Sequence, residues 1–284
     1  MPIATHRIYG VDFSSAPSQK KPITIAVAEL DHGVLHLTCV HPVPTFDAFD
    51  AFLMHEGPWA AAFDLPFSLP RELIEHYGWP TTWPEFIRWY AQAPREMLRQ
   101  AFKEFCYARP AGGKFAYRKA DGPAGSSPAM RWTNPPVAWM AQAGAPRLLA
   151  AGVHIPGLMA GQDVKGRQRV ALEAYPGFTA RKVTRQSYKS DTRAKQTLER
   201  RAARELILSA LVSGDAALNV RLSIAKDWVD RCLDDGSGDL LDAVICALQA
   251  AHAVRLPNYG LPKDMDPLEG WIASVPPLPT SDLR

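Results

Sequence analysis

Cysteine is scarce in this chain and unpatterned. The four, Cys39, Cys106, Cys232 and Cys246, form no CxxC or other metal-like spacing. That argues against a thiolate zinc site or a disulfide framework and fits a reducing compartment. Long uncharged apolar runs are also missing, so no segment reads as membrane-spanning. The N-terminal stretch lacks the extended apolar region of a signal peptide. Together these absences lead to the expectation of a cytoplasmic protein with no membrane partner. A charge excess is missing as well. The 32 Lys plus Arg nearly balance the 29 Asp plus Glu, giving +3, which neither demands nor excludes a nucleic-acid partner. The eight His include no H-E-x-x-H, so zinc hydrolysis has no support. Without G-x-S-x-G, G-x-x-x-x-G-K-[ST] or G-x-G-x-x-G, neither a serine nucleophile elbow nor a standard nucleotide-binding loop is indicated.

What is present is ample material for a core. Apolar residues make up 47% of the 284, with 11 Phe, 8 Trp and 8 Tyr. That suffices for one large domain or two small ones, and global disorder is not expected. The 25 Pro predict many broken connections.

The first third reads as sheet. Residues 7–15 form a short strand, PITIAVAEL a second and VLHLTCVHPV a third, with Asp31–Gly33 as a turn between the last two, an antiparallel meander. A helix follows, capped by Thr45 and ended by Gly57 and Pro58. WAAAFDLPF, 59–67, is apolar almost throughout, as befits a strand buried on both faces. Residues 68–168 break this rhythm with short helical segments among Pro and Trp, and RPAGGKFAYRKADGPAGSSPAMRWTNPP reads as an aperiodic, mobile loop. Trp79, Trp83 and Trp89 suit packing of this insertion against the core. The strand rhythm returns at RVALEAYPG, 169–177. Helices are predicted over 191–212, with Asp191 as N-cap, over 222–233 and over 237–256, and GWIASV predicts a final edge strand. The expected organisation is residues 1–67 and 169–284 as two parts of one core, with 68–168 as a helical insertion or cap.

Against this pattern five acids stand out. Asp12 lies in the first strand, Asp64 in WAAAFDLP and Glu173 in VALEAY, while Asp239 and Asp242 open the most apolar helix. Burying an isolated carboxylate is costly, so something must offset it. Taken singly, each has a local explanation: Asp12 and Asp64 as turn acids, Asp239 as a helix cap. Five at the ends of core elements are harder to explain that way. Asp239 and Asp242 are three apart, so on a helix they share a face, near an N-terminus that softens their repulsion. Facing Asp12 and Asp64, they form a hard-oxygen set suited to Mg2+ or Mn2+. Two such ions about 3.5–4 Å apart activate water and stabilise a leaving oxygen.

The order of these pieces resembles the ribonuclease H-like superfamily, and within it the DUF429 family of predicted nucleases. The similar segments are YGVDFSSAP, AAFDLPFSLP, ALEAYPG, DLLDAVICALQAAHA and the closing EGWI. The resemblance implies an α/β fold, a mixed five-stranded sheet flanked by helices with a largely helical insertion. It puts Asp12 on the central strand with Asp64 beside it on the fourth. Asp239 and Asp242 would close the site from the last helix, and Glu173 would act from strand five as a ligand or a supporting group. The implied activity is metal-dependent cleavage of phosphodiesters. Two other readings stay open on the same fold: a non-catalytic protein that binds nucleic acid or a metabolite, and an actin-like ATPase or kinase-type phosphotransferase. For the latter the second phosphate turn and the adenosine segment are missing.

Candidate substrate contacts are Ser14 and Ser15 after the first acid, Arg118 and Lys119 in the insertion loop, and Arg181 and Lys189 after strand five. They suit a nucleic acid or a small phosphorylated substrate. Tyr117 and Trp132 are placed to stack on bases. Nothing in the sequence fixes an oligomeric state.

Overall fold

A computed structural model of the chain describes residues 7–162 and 167–277. Its centre is a mixed sheet of six strands: β1 Arg7–Asp12, β2 Ile23–Asp31, β3 Val34–Val43, β4 Trp59–Asp64, β5 Arg169–Glu173 and β6 Arg221–Ser223. The order across the sheet is β5-β4-β1-β2-β3-β6. β1, β2 and β3 pair antiparallel, while β4 joins β1, β5 joins β4 and β6 joins β3 in parallel. The first five strands reproduce the mixed ribonuclease H-like arrangement. The sixth, three residues long, is added at the β3 edge, where the sequence predicted the start of a helix.

Among the described residues, ten α-helices accompany the sheet. α1 Phe46–Leu53 precedes β4. α2 Arg71–His76, α3 Trp83–Gln92, α4 Arg95–Tyr107, α5 Asp121–Ala124 and α6 Val137–Ala151 form the insertion. α7 Pro176–Val183, α8 Leu198–Ser213, α9 Lys226–Asp234 and α10 Asp239–Ala253 follow β5. Thr45 caps α1 as expected, its hydroxyl accepting from Ala48 N–H at 3.2 Å. β2 and β3 meet across His32 and Gly33, both at positive φ, as a two-residue hairpin turn requires.

Strand alternation divides the core in two. Tyr9, Val11, Trp59, Ala61 and Phe63 face α1 and the insertion, where Trp79, Trp83, Phe86 and Phe102 join the same apolar cluster. Ile8, Ala60, Ala62, Val170 and Leu172 face α8 and α10. On this second face the residues beneath α10 are small. A Cβ at Gly10 would lie 2.0 Å from the Ala243 carbonyl oxygen and 2.1 Å from Ala247 N. The glycine thus lets the helix backbone rest directly on β1. That close approach sets the depth at which the first turn of α10 meets the sheet.

Three segments differ from the sequence expectation. The helix predicted from 191 begins only at Leu198. Before it lie an irregular stretch and a 3-10 turn, Arg193–Lys195, and Asp191 pairs with Lys21 instead of capping. GWIASV contributes a single parallel bridge, Ile272 to Glu173, because Gly270 and Ser274 bend the chain at positive φ on either side. The loop expected to be mobile is packed where it nears the core, with Ala116, Ala120, Asp121, Ala129 and Met130 fully buried or nearly so.

Candidate metal centre

The acids are brought together by strand register and helix depth. Asp12 and Asp64 end β1 and β4 and are register partners. Both share parity with Gly10 and Ala62, so their side chains emerge on the α10 side. Asp242 sits in the first turn of α10, fully buried. One carboxylate oxygen from each of Asp12, Asp64 and Asp242 lies within 4.8 Å of the others. Asp239, the first residue of α10, lines the adjoining cavity with Asp12 and Asp64 but is outside this trio. It does not cap the helix either. Asp235 does so, accepting from Leu240 N–H at 2.9 Å.

Glu173 lines the same cavity as Asp12 and Asp64 and its charge reaches Asp64, but it is outside the trio, and alternation explains why. It pairs with Phe63 and follows Ala171, both on the insertion face. There it accepts from Phe67 N–H at 2.9 Å and from both terminal nitrogens of Arg118, at 2.5 and 2.7 Å. Arg118 also donates to Asp121 Oδ1 at 2.8 Å and is buried. The neighbouring Lys119 N–H bonds Glu269 Oε2 at 2.9 Å, and Arg71 N–H bonds Glu269 Oε1 at 2.7 Å. The structure therefore places the Arg118 guanidinium in a buried brace that ties the insertion to β5, while the Lys119 side chain is exposed. Arg181 donates to the Ala124 and Gly125 carbonyls at 2.7 and 3.1 Å, closing the far end of α5. Trp132 packs on Phe102 and Phe115, whereas Tyr117 stays exposed.

Lys189 is in the centre itself. Its ammonium contacts Asp242 Oδ2, and the Tyr188 hydroxyl donates to Asp242 Oδ1 at 2.6 Å. Among the described residues, nothing donates a hydrogen bond to the carboxylates of Asp12 or Asp64. Their electrostatics follow from that shortage. Burial, then the neighbouring Asp242, raises Asp12 well above the usual carboxyl range, with Lys189 opposing. Burial lifts Asp64 to about 7, again against Lys189. Asp239 is raised by burial and held back by Lys21. Burial lowers the Lys189 pKa, but Asp242 and its neighbours outweigh it and push the group well upward, so the ammonium is retained.

Asp12 and Asp64 line a cavity of about 650 Å3 together with Lys189, Asp239 and Glu173, while Asp242 is fully buried and outside its lining. Ser14, Ser15 and Lys21 stand on one side of it, Ser190, Thr192 and Ser237 on another, and the insertion supplies an apolar wall of Pro135, Val137 and Met140. A second cavity of about 730 Å3 lies between α1 and α6, and its one acid, Asp50, is paired with Arg147. No helix among the described residues is long and apolar enough to cross a membrane.

Tyr188 and Lys21 carry no motif. The signal that could have found them is their place in sequence, Tyr188 beside Lys189 and Lys21 after the Ser-Ser turn.

No curated protein and no solved structure gives a significant match to the chain. A family model does match: it is described as protein of unknown function, DUF429, and it covers residues 10–264. That span holds all four aspartates, Glu173 and Lys189, and the chain belongs to the DUF429 family.

Proposed function

We propose that this protein is a divalent-metal-dependent phosphodiester hydrolase of the nuclease or phosphodiesterase kind, using Mg2+ or Mn2+ held by Asp12, Asp64 and Asp242. One observation carries the reading: three convergent carboxylate oxygens, two of them on Asp12 and Asp64, which line a cavity and accept no hydrogen bond from the described residues. Asp12 and Asp64 are half-buried and Asp242 is fully buried, and carboxylates so withdrawn from water and short of donors are unstable unless a cation or a proton joins them. Hard oxygen donors with room for water suit magnesium or manganese. An ion there would supply a polarised water and charge stabilisation at the leaving oxygen.

The chain's own groups do the rest. Asp12 and Asp64 hold their positions through paired strand ends, and Asp242 is oriented by Tyr188 and Lys189. Ser14, Ser15 and Lys21 offer donors for the non-bridging phosphate oxygens. The wall of Val137, Met140 and Pro135 keeps bulk water from one side and suits a flat, weakly polar group. The cavity volume fits one nucleotide-sized unit, either a free phosphorylated molecule or one residue of a nucleic acid.

The test is cleavage of three substrates with Mn2+: bis(p-nitrophenyl) phosphate, a cyclic or dinucleotide phosphodiester, and single- and double-stranded oligonucleotides. Turnover of at least one by the wild type and its loss in Asp12→Asn is the expected result. Absence of turnover of all three, with Mn2+ shown to be bound, would favour a binding protein on the same fold.

A further inference from the structure

The segment that carries Lys189 has no regular secondary structure, yet side chains fix its backbone at several points. Arg204 of α8, 3% exposed, donates to the Tyr188 carbonyl at 2.6 Å and to the Leu233 carbonyl at 2.7 Å. Arg200, one turn earlier, donates to the Ser187 hydroxyl at 2.6 Å and to the Lys189 carbonyl. Ser190 N–H bonds the Gly236 carbonyl at 3.0 Å. Asp191 pairs with Lys21 from the β1–β2 connection. Gly238, at φ +81°, makes room for the lysine, since a Cβ there would lie 2.7 Å from Lys189 Cβ. A charge-assisted hydrogen bond from an arginine to a carbonyl is among the stronger ones. With two arginines on consecutive carbonyls, Lys189 reaches the acids from an anchored backbone.

What the anchoring delivers is two consecutive side chains on one carboxylate. Tyr188 takes one oxygen of Asp242 and Lys189 the other. Lys189 also lines the same cavity as Asp12 and Asp64, and its charge opposes the effect of burial on both. A charge count then becomes informative. Three ionised carboxylates and one ammonium sum to −3 + 1 = −2, and at the cavity wall the charge of Asp239 is opposed by that of Lys21. One divalent ion balances that charge, whereas two would leave the buried site positive, which is unfavourable at low dielectric.

We propose that Lys189 is a tethered cation filling one of two cation positions in the acidic cluster, so that the site takes a single divalent ion. The inference rests on the metal-centre reading, and one titration separates the two. Mn2+ is titrated calorimetrically at pH 8 into wild type, Lys189→Met and Lys189→Arg, each checked for folding by its melting curve. One ion is expected in wild type and in Lys189→Arg, and two in Lys189→Met, where the apolar stem remains and the charge is gone. Two ions in wild type would overturn the inference while leaving the metal reading intact. So would one ion in Lys189→Met, whatever its affinity, because the ammonium would then compete for the ion's own place. Lack of binding in every protein would instead remove the metal reading itself. Should Lys189→Met fail to fold, electron paramagnetic resonance of Mn2+-saturated wild type decides. An isolated ion supports the inference, and a spin-coupled pair overturns it.

Discussion

Two buried carboxylate clusters lie at the same end of the sheet, one on each face, and they are finished differently. On the insertion face, Glu173 and Asp121 share the guanidinium of Arg118, and backbone N–H groups of Phe67, Arg118 and Ala129 complete their oxygens. On the α10 face, Asp12, Asp64 and Asp242 share one ammonium and one hydroxyl, both directed at Asp242. A buried acid whose oxygens are all met is a structural joint. A buried acid left short of donors is a place for a proton or a cation. On this contrast the first cluster holds the insertion in place, and the second is where the proposed metal would sit.

The largest effects should come from exchanging the two roles. Asp12→Asn or Asp64→Asn removes a ligand and a negative charge from the under-supplied cluster. Calorimetric Mn2+ affinity should fall by about 100-fold or more, while the metal-free melting temperature holds or rises because repulsion is relieved. Arg118→Met should do the reverse. It strands Glu173 and Asp121 without their cation and should lower stability by about 3–5 kcal/mol in urea unfolding. Mn2+ binding by the folded fraction should stay within about threefold of wild type. If Arg118→Met abolished metal binding at unchanged stability, the division between the faces would be wrong.

A pH titration sharpens the same contrast with a smaller effect. The Asp64 pKa is raised by burial to about 7 from its ordinary value of 3.8, so the metal-free fold favours its protonated form. A raised pKa contributes stability that is fully present below pH 3.8 and lost as pH climbs through 7. The metal-free melting temperature should therefore drop by a few degrees between pH 5 and 8. Metal binding must displace that proton and any held by Asp12, so apparent Mn2+ affinity should rise at least about tenfold per pH unit below 7. A flat affinity across pH 5–7 would mean that Asp64 is already ionised in the metal-free protein.

Much of the α10-face cluster was legible in the sequence because its signals are local. Asp12 and Asp64 interrupt apolar runs, and D-L-L-D opens an apolar helix. Even the exclusion of Glu173 was written there. In VALEAY it shares parity with Ala171, opposite Val170 and Leu172, whereas Asp12 shares parity with Gly10 and Asp64 with Ala60 and Ala62, the small residues that admit α10. The partners were not legible. Arg118 meets Glu173 across 55 residues and Lys189 meets Asp242 across 53. Both lie in irregular stretches whose course is set by side-chain bonds to carbonyls, so no periodicity announces where they go. For the same reason the basic residues after β5 read as phosphate contacts. In the fold, Arg181 holds the Ala124 and Gly125 carbonyls and Lys189 pairs with Asp242.

Asp239 gives the finest test of the comparison, because it belongs to the cavity without belonging to the trio. It lines the wall near Lys21, and its charge raises the pKa of Asp12 behind burial and the Asp242 and Lys189 contributions. If it acts only through this field, Asp239→Asn should weaken Mn2+ binding by about two- to fivefold, the effect of one charge across a partly solvated gap. That loss should shrink further as salt is raised. A ligand would behave otherwise: its removal would match Asp12→Asn in size and be insensitive to salt, since an inner-sphere bond is not screened. Measuring both variants at low and high ionic strength thus reads out how many of the four aspartates touch the ion, independently of any substrate.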